Sequence, residues 1–552
     1  MTREPTRSQE STKAAAQAGE LLYNGIQLPS IWPPKDRKLT LEPPEKPPYL
    51  ANPPAVIPID VGRQLFVDDF LIEETNLSRV FHAAEYYARN PILKPDKPWE
   101  LKGSSPTATV FSDGVFYDPA DKLFKMWYVG GDQRWPEGLP HTCYAISKDG
   151  VHWEKPSLDV VPGTNIVLPL QRDSNTVWLD LEEKDPSRRF KMFHVKAPEM
   201  NSISLYFSAD GIHWTDTGVK SGNCGDRSTV FYNPFRKVWV YSLRGGHREL
   251  GRIRNYRESA DVIAGANWKF EDLTPWAAVD RFDPRRADFD SPQPELYNVD
   301  AVAYESLMLG LFSIWRGVPQ DRPKINEVLL AFSRDGFHWD RAWRSPFVTV
   351  SEQYGDWNWG NVQSAGGCCL VVGDKLYFYV SGRAGVRGSN DPVISQGVSS
   401  TGLATLRRDG FASMEIANRE GTLTTRPVQF SGKYLFVNAD SHAGELRVEV
   451  LDEKWQTIAH YSREDCIPIR ANSTLQRVRW KDAEDLSALA GKPVKFRFYL
   501  KDGGLYAFWV SRDRSGASNG YVAAGGPGFK GPTDTVGSAA YRSASKVAST
   551  RQ

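Results

Sequence analysis

The pattern Ser-x-Asp-Gly-x-His-Trp occurs three times in this chain, at residues 147–153, 208–214 and 333–339. Its carboxylates, Asp149, Asp210 and Asp335, are spaced 61 and then 125 residues apart, so the second gap is about twice the first. A worn copy fills the longer gap as Ser259-Ala-Asp261 followed by Trp268, and a fifth follows as Arg408-Asp409-Gly410-Phe411. In such a turn Asp accepts backbone N–H bonds, Gly supplies positive φ and Trp anchors the outer strand. Repetition at this period with strand-like contents implies a radial or solenoid architecture.

A second repeat lies ahead of each turn. Residues 115–119 and 123–128, 177–180 and 190–193, 230–234 and 238–241, 302–304 and 309–312, and 369–372 and 376–379 each read as an apolar strand, a polar turn and another strand. With the Asp-Gly turn joining a third strand to a fourth, the pattern predicts an all-β chain: a five-bladed β-propeller followed by a C-terminal β-sandwich. The expected boundaries are a Pro-rich extended arm over 1–55, the propeller over 56–412, the sandwich over 413–514 and a flexible Gly/Ser/Ala tail over 515–552. The segment 64–72 is expected to supply the closing or first strand of the ring. The Asp-Gly turns themselves are structural staples on this reading.

The 552 residues allow a large core and more than one domain, and the formal net charge of +1 gives no global field for nucleic acid or an anionic membrane. No apolar run is long enough for a transmembrane helix. The N-terminal Met1-Thr-Arg-Glu-Pro lacks the apolar core of a secretory signal, which fits a cytoplasmic protein, or a secreted or periplasmic one whose leader was removed. Five cysteines without ligand spacing are expected to be buried thiols, and neither metal nor cofactor is expected. The oligomeric state is not legible.

In such a ring, function belongs to the residues that precede each hairpin. Those entries are rich in acids and aromatics, which suits cleavage of a glycosidic bond: one carboxyl must stay protonated to serve the leaving oxygen while another stays ionised. The catalytic candidates are Asp226, Glu295, Glu305, Glu100 and Asp69, with Asp226 foremost. Asp68 and Asp69 are adjacent, so one is expected to face in and one out. Glu305 falls at the far hairpin turn in this register, away from the mouth. Arg227, Arg244 and Arg383 are candidates to hold a carboxylate ionised or to grip an acidic sugar, and Asn175 a candidate for substrate hydroxyls. Trp99, Tyr297, Trp357 and Trp359 are candidate platforms for sugar faces.

The chain resembles a bacterial member of the glycoside hydrolase family 32-like superfamily, which includes families 43, 68 and 130. The resemblance spans roughly residues 60–510 and rests on Leu65-Phe-Val-Asp-Asp69, Asn90-Pro-Ile-Leu93, the Asp-Gly turns, Gly225-Asp-Arg-Ser228 and Glu420-Gly-Thr-Leu-Thr-Thr-Arg-Pro427. It implies an acidic nucleophile or base, an acidic transition-state stabiliser and a glutamic acid proton donor. The chain lacks the Asn-Asp-Pro-Asn-Gly, Arg-Asp-Pro and Glu-Cys-Pro elements of the fructan-cleaving members, Tyr304-Glu305-Ser306 being a weak echo of the last, so only the general class carries over. The leading expectation is a glycoside hydrolase acting on a terminal sugar of a carbohydrate substrate. The alternatives are a non-catalytic carbohydrate-binding propeller and a glycoside phosphorylase.

Overall fold

The computed structural model describes residues 19–35, 37–131, 140–391 and 394–549. The reading of Met1 to Pro5 and the first part of the expected arm lie outside the described residues. The fold is nearly all-β, its few helices are short, and no described helix is long and apolar enough to cross a membrane.

Alternating strands and tight turns give a series of antiparallel meanders. Arg172–Leu179, Phe190–Lys196, Ile203–Ser208 and Thr215–Lys220 form one four-stranded sheet; Thr229–Asn233, Val238–His247, Gly251–Ser259 and Thr274–Ala277 form another. Glu295–Glu305, Leu307–Gly317 and Ile325–Ser333 form a third, joined by Tyr521–Val522 from the C-terminal segment. A nine-stranded sheet contains two further meanders, one starting with Thr107–Asp118 and one built from Asn361–Ser364, Leu370–Val372, Lys375–Arg383 and Ser399–Arg407. These two are fused by the parallel pairing of Ser399 with Thr107 and Ser400 with Ala108.

The leading strands pack beside one another. Thr107–Asp118 packs beside Arg172–Leu179, which neighbours Thr229–Asn233, which neighbours Glu295–Glu305; Asn361–Ser364 returns to Thr107–Asp118. Glu85–Tyr86 pairs with Thr405 and Ala404, so a segment that precedes the first meander completes the last one. The closing strand was expected at 64–72. That segment instead pairs elsewhere: Gln64 and Leu65 with Phe508 and Ala507, and Ile72–Thr75 with Ala412–Thr425. Phe66, Phe70 and Leu71 are buried there in a second core, with Phe66 stacked on Phe508 at 5.6 Å.

The Asp-Gly turns are staples. Asp149 Oδ1 accepts the N–H groups of Val151 and His152 at 2.8 Å, and Ser147 Oγ accepts that of Gly150 at 2.9 Å. Asp210 and Asp335 repeat the arrangement, with Gly211 and Gly336 at φ 82° and 80°. In the worn copy, Asp261 caps the short helix Val262–Ala266.

The strands of 413–514 join an eight-stranded sheet around Lys495–Ser511, to which the N-terminal segment contributes Gln64–Leu65, Ile72–Thr75 and Ser78–Phe81. This sheet has its own core of Leu423, Val437, Leu446, Phe496 and Phe498, to which Leu22, Ile26 and Leu28 of the arm also contribute. Burying each such side chain stabilises by about 1.5–3 kcal/mol.

The tail from 515 was expected to be flexible; the structure docks it. Tyr521–Val522 pairs with Tyr304 and Glu305, Ala524 N–H donates to Cys369 O at 3.0 Å, and Tyr117 N–H donates to Ala524 O at 2.9 Å. Its small residues permit this close approach: a Cβ on Gly526 would lie 1.8 Å from Val371 O. A composition that reads as loose chain is here a condition of tight backbone packing.

Candidate functional site

The leading strands and the segments that enter them bring polar side chains from every meander together. Arg172 donates to Asp113 through both Nη atoms, at 3.0 Å for Nη2 to Oδ2. Ser364 Oγ donates to Asp300 Oδ2 at 2.6 Å, and Asn298 Nδ2 donates to the same oxygen at 2.9 Å. Ser112 Oγ accepts from Asn298 Nδ2 at 2.9 Å. Arg227 N–H donates to Asp173 Oδ2 at 3.4 Å. The aspartates Asp113, Asp173 and Asp300 thus join Asp226 around one centre.

Two of these carboxylates form a differentiated pair. Asp226 Oδ1 lies 2.6 Å from Arg244 Nη1, which reaches it from the adjacent strand Val238–His247. Gly225 makes this possible, since a Cβ there would lie 2.9 Å from Arg244 Cδ. Asp173 has no ion pair among the described residues, although the Arg227 charge acts on it. Burial, and next the nearby Asp226 carboxylate, push the Asp173 carboxyl up. Burial also raises Asp113 and Asp300, despite the Arg172 and Arg227 charges.

Arg227 is the unusual cation. It is buried, its backbone sits at φ 57°, and its guanidinium lies 3.6 Å from the centroid of the Phe111 ring. Nε, Nη1 and Nη2 all lack a hydrogen-bond partner among the described residues. A left-handed non-glycine backbone costs about 1–3 kcal/mol and accumulates at functional sites. Arg383 flanks the same ring at 5.6 Å and donates Nη1 to Gln396 Oε1 at 2.9 Å. Arg254 donates to the carbonyls of Arg227 and Tyr297. Burial, then the charge of Arg227, lowers Arg254 to about 9, and burial lowers Arg383 to about 10.

Glu295 and Tyr297 enter from the next strand. Glu295 Oε2 accepts from Arg252 Nη1 and from its N–H, both at 3.2 Å. Tyr297 OH accepts from Lys324 Nζ at 2.7 Å; burial opposes ionisation, yet the Lys324 charge and hydrogen bond bring the phenol below its ordinary value. An open groove of about 610 Å³ runs past Cys224, Gly225, Arg244, Arg252 and Glu295, with the ring of Phe270, 82% exposed, at its rim. Among the described residues no group of His, Cys, Asp or Glu is arranged to hold a metal ion.

The structure therefore brings together Asp226, Arg227, Arg244, Glu295, Tyr297 and Arg383. Asn175 borders the centre, donating to Thr142 Oγ1 at 2.7 Å and meeting His194 Nδ1 at 2.9 Å. The other candidates lie apart. Glu100 is fully buried and saturated by Tyr128 OH, Lys155 Nζ and two backbone N–H groups of its own turn. Trp99 donates to Asn165 Oδ1 at 3.1 Å. Trp357 fills space over Gly382 and Gly402, where a Cβ would lie 2.0 and 2.1 Å from its ring, and Trp359 is buried against Arg322. Of the adjacent acids, Asp69 is 54% exposed and pairs with Arg79, while Asp68 is buried against Arg334.

Glu305 sits at the far hairpin, at φ 51°, and is fully buried. Its carboxylate accepts from Arg408 Nη2 at 3.0 Å, Ser518 Oγ at 2.7 Å and Arg63 N–H at 3.1 Å. Arg63 in turn donates to Asp409, and Arg408 to Asp534. Glu305 thus ties the N-terminal segment, the worn fifth turn and the tail together, at the opposite end of its strand from Glu295.

Sequence reasoning missed Asp113, Asp173, Asp300, Arg254 and Lys324 as site residues. Asp173 lies in a strand entry that the sequence marks, Arg172-Asp-Ser-Asn175. Asn298 and Asp300 alternate on one face of an otherwise apolar strand, a period-two signal that was available. Asp113 was hidden by a bulge: its strand loses register between Thr109 and Gly114.

No family model matches the chain, and no curated protein matches it. Among solved structures, it is similar to one titled as showing that the family 130 mannoside phosphorylases contain glycoside hydrolases that target β-1,2-mannosidic linkages in Candida mannan, at 13% identity and a TM-score of 0.39, over 62% of this chain and 96% of that one. A β-1,2-mannobiose phosphorylase from Listeria innocua matches at 12% identity and 0.37, over 59% and 97% of the two chains. An exo-inulinase from Aspergillus awamori matches at 12% and 0.32, over 76% and 99%.

Proposed function

We propose that this chain is a glycan-active enzyme that hydrolyses the glycosidic bond of a terminal sugar, on a five-bladed β-propeller with an appended β-sandwich. The single observation that carries the reading is the Asp173–Asp226 pair. Burial and its neighbour favour the protonated form of Asp173, while Arg244 stands against Asp226. That is the division of labour bond cleavage needs: Asp173 protonates the leaving oxygen, and the Asp226 carboxylate activates water or attacks the sugar. The docked tail supports action at a chain end, because residues 521–525 bond to the far ends of two leading strands at Tyr117 and Ala303, and to Cys369 just before Leu370–Val372, and would close the ring on that side.

Phosphorolysis is the second reading. It needs one acid and a cationic pocket for phosphate, and the cluster of Arg227, Arg254 and Arg383 favours it. The test is turnover of a panel of natural glycans and aryl glycosides, with and without inorganic phosphate, by the native chain and by Asp173→Asn and Asp226→Asn. Hydrolysis of a natural glycan without phosphate that both substitutions lower by about 10²-fold or more supports the proposal. Strict dependence on phosphate selects the second reading, and unchanged turnover in both variants sinks the first.

A further inference from the structure

The buried guanidinium of Arg227 is not used by the acid–base pair. Burying a cation is costly unless it is paired and hydrogen-bonded. Here the Phe111 face supplies a cation–π contact, while none of the five N–H groups finds an acceptor among the described residues. The positive φ of Arg227 turns it onto the ring at the meeting point of the strand entries, with Arg383 5.6 Å from the same ring. Arg172 and Arg254, by contrast, are engaged by Asp113 and by backbone carbonyls.

Resting on the hydrolytic reading above, we propose that Arg227, backed by Arg383, binds the carboxylate of an acidic terminal sugar such as a uronic acid. A guanidinium presents parallel N–H groups that match a carboxylate in a bidentate pair, and burial strengthens that pair. A carboxylate also fits the local charge better than phosphate does. Asp173, Asp226 and Asp300 all act on Arg227. A dianion would add two negative charges beside these acidic groups, a monoanion one. Hydrolysis by a carboxylate pair needs no phosphate.

The test is calorimetric binding to this chain, which requires no turnover. The probes are methyl glucuronide, methyl galacturonide, their neutral methyl glucoside and methyl galactoside counterparts, and inorganic phosphate. At least one acidic glycoside should bind 10-fold or more tighter than its neutral partner. Arg227→Gln should abolish that preference and Arg227→Lys retain part of it, with circular dichroism unchanged in both. Asp226→Asn should keep the preference, so loss of turnover in that variant and loss of acid recognition in Arg227→Gln are separable. Equal binding of acidic and neutral sugars overturns the proposal, as does a preference that survives Arg227→Gln. Phosphate bound more tightly than either acidic glycoside also overturns it, in favour of a phosphate site. If Arg227→Gln does not fold, Phe111→Leu, which removes the cation–π support, should weaken the preference in its place.

Discussion

Asp226 pairs with Arg244 across a hairpin, Oδ1 to Nη1 at 2.6 Å, and not with Arg227, its neighbour in sequence. The left-handed backbone at Arg227 turns the adjacent guanidinium toward Phe111, leaving the carboxylate to a cation 18 positions further along the chain. One Asp-Arg dipeptide thereby divides: its carboxylate meets Arg244, while its guanidinium lies on Phe111 with no hydrogen-bond acceptor among the described residues.

Replacing either member of the carboxylate pair should lower kcat/KM on a natural glycan by about 10²–10⁴-fold, the usual contribution of a general acid or base. Asp173→Asn should lose far less on an aryl glycoside with a good leaving group, because that oxygen needs little protonation. Asp226→Asn should lose both. The basic limb of the pH profile should disappear in Asp173→Asn, since burial raises that carboxyl and the limb reports its deprotonation. Steady-state kinetics on paired substrates checks all three outcomes.

Glu305 is expected to matter for stability alone. Glu305→Gln leaves Arg63 and Arg408 with less compensation in a fully buried cluster. Breaking a buried pair costs about 3–5 kcal/mol. Denaturant unfolding should show that loss, while kcat/KM measured well below the transition stays near the native value. A drop in activity without a drop in stability would return Glu305 to the catalytic set.

The tail should behave as core. Phe529 and Val522 are buried, and Arg408 pairs with Asp534 at 3.0 Å. Phe529→Ala should cost about 3–5 kcal/mol. Limited proteolysis of the native chain should spare residues 521–534, and cleavage there ahead of global unfolding would contradict the docking.

Acid should destabilise the protein through the Asp-Gly turns. Burial alone would raise Asp149, but the N–H and side-chain hydrogen bonds of His152 hold it at about 2, and Asp210 is held at about 2 in the same way by His213. A carboxylate lowered on folding contributes stability that is complete above its unfolded value and is lost as pH falls through the folded one. Melting temperature should therefore fall between about pH 4 and pH 2. The Asp149→Asn, Asp210→Asn double variant should be less stable at pH 7 and lose less over that interval, as calorimetry across the range would show.

The sequence by itself determined the period, the turn chemistry and the strand entries. These are local: Asp149 bonds to residues two and three positions away, and the next few residues carry the whole signal. It also determined that Asp226, Arg227, Arg244, Glu295, Tyr297 and Arg383 stand at or near such entries. Only the tertiary structure decided which charges meet. Glu100 and Glu305 look like site acids in sequence and are saturated by Lys155, Arg63, Arg408 and Ser518, partners 55 to 242 positions away. The segment 64–75 pairs with the sheet of 412–511, where Phe66, Phe70 and Leu71 are buried, and the glycines of the tail admit close backbone. Pairings of that range depend on which surfaces exclude water together, and no window of neighbouring residues contains that information.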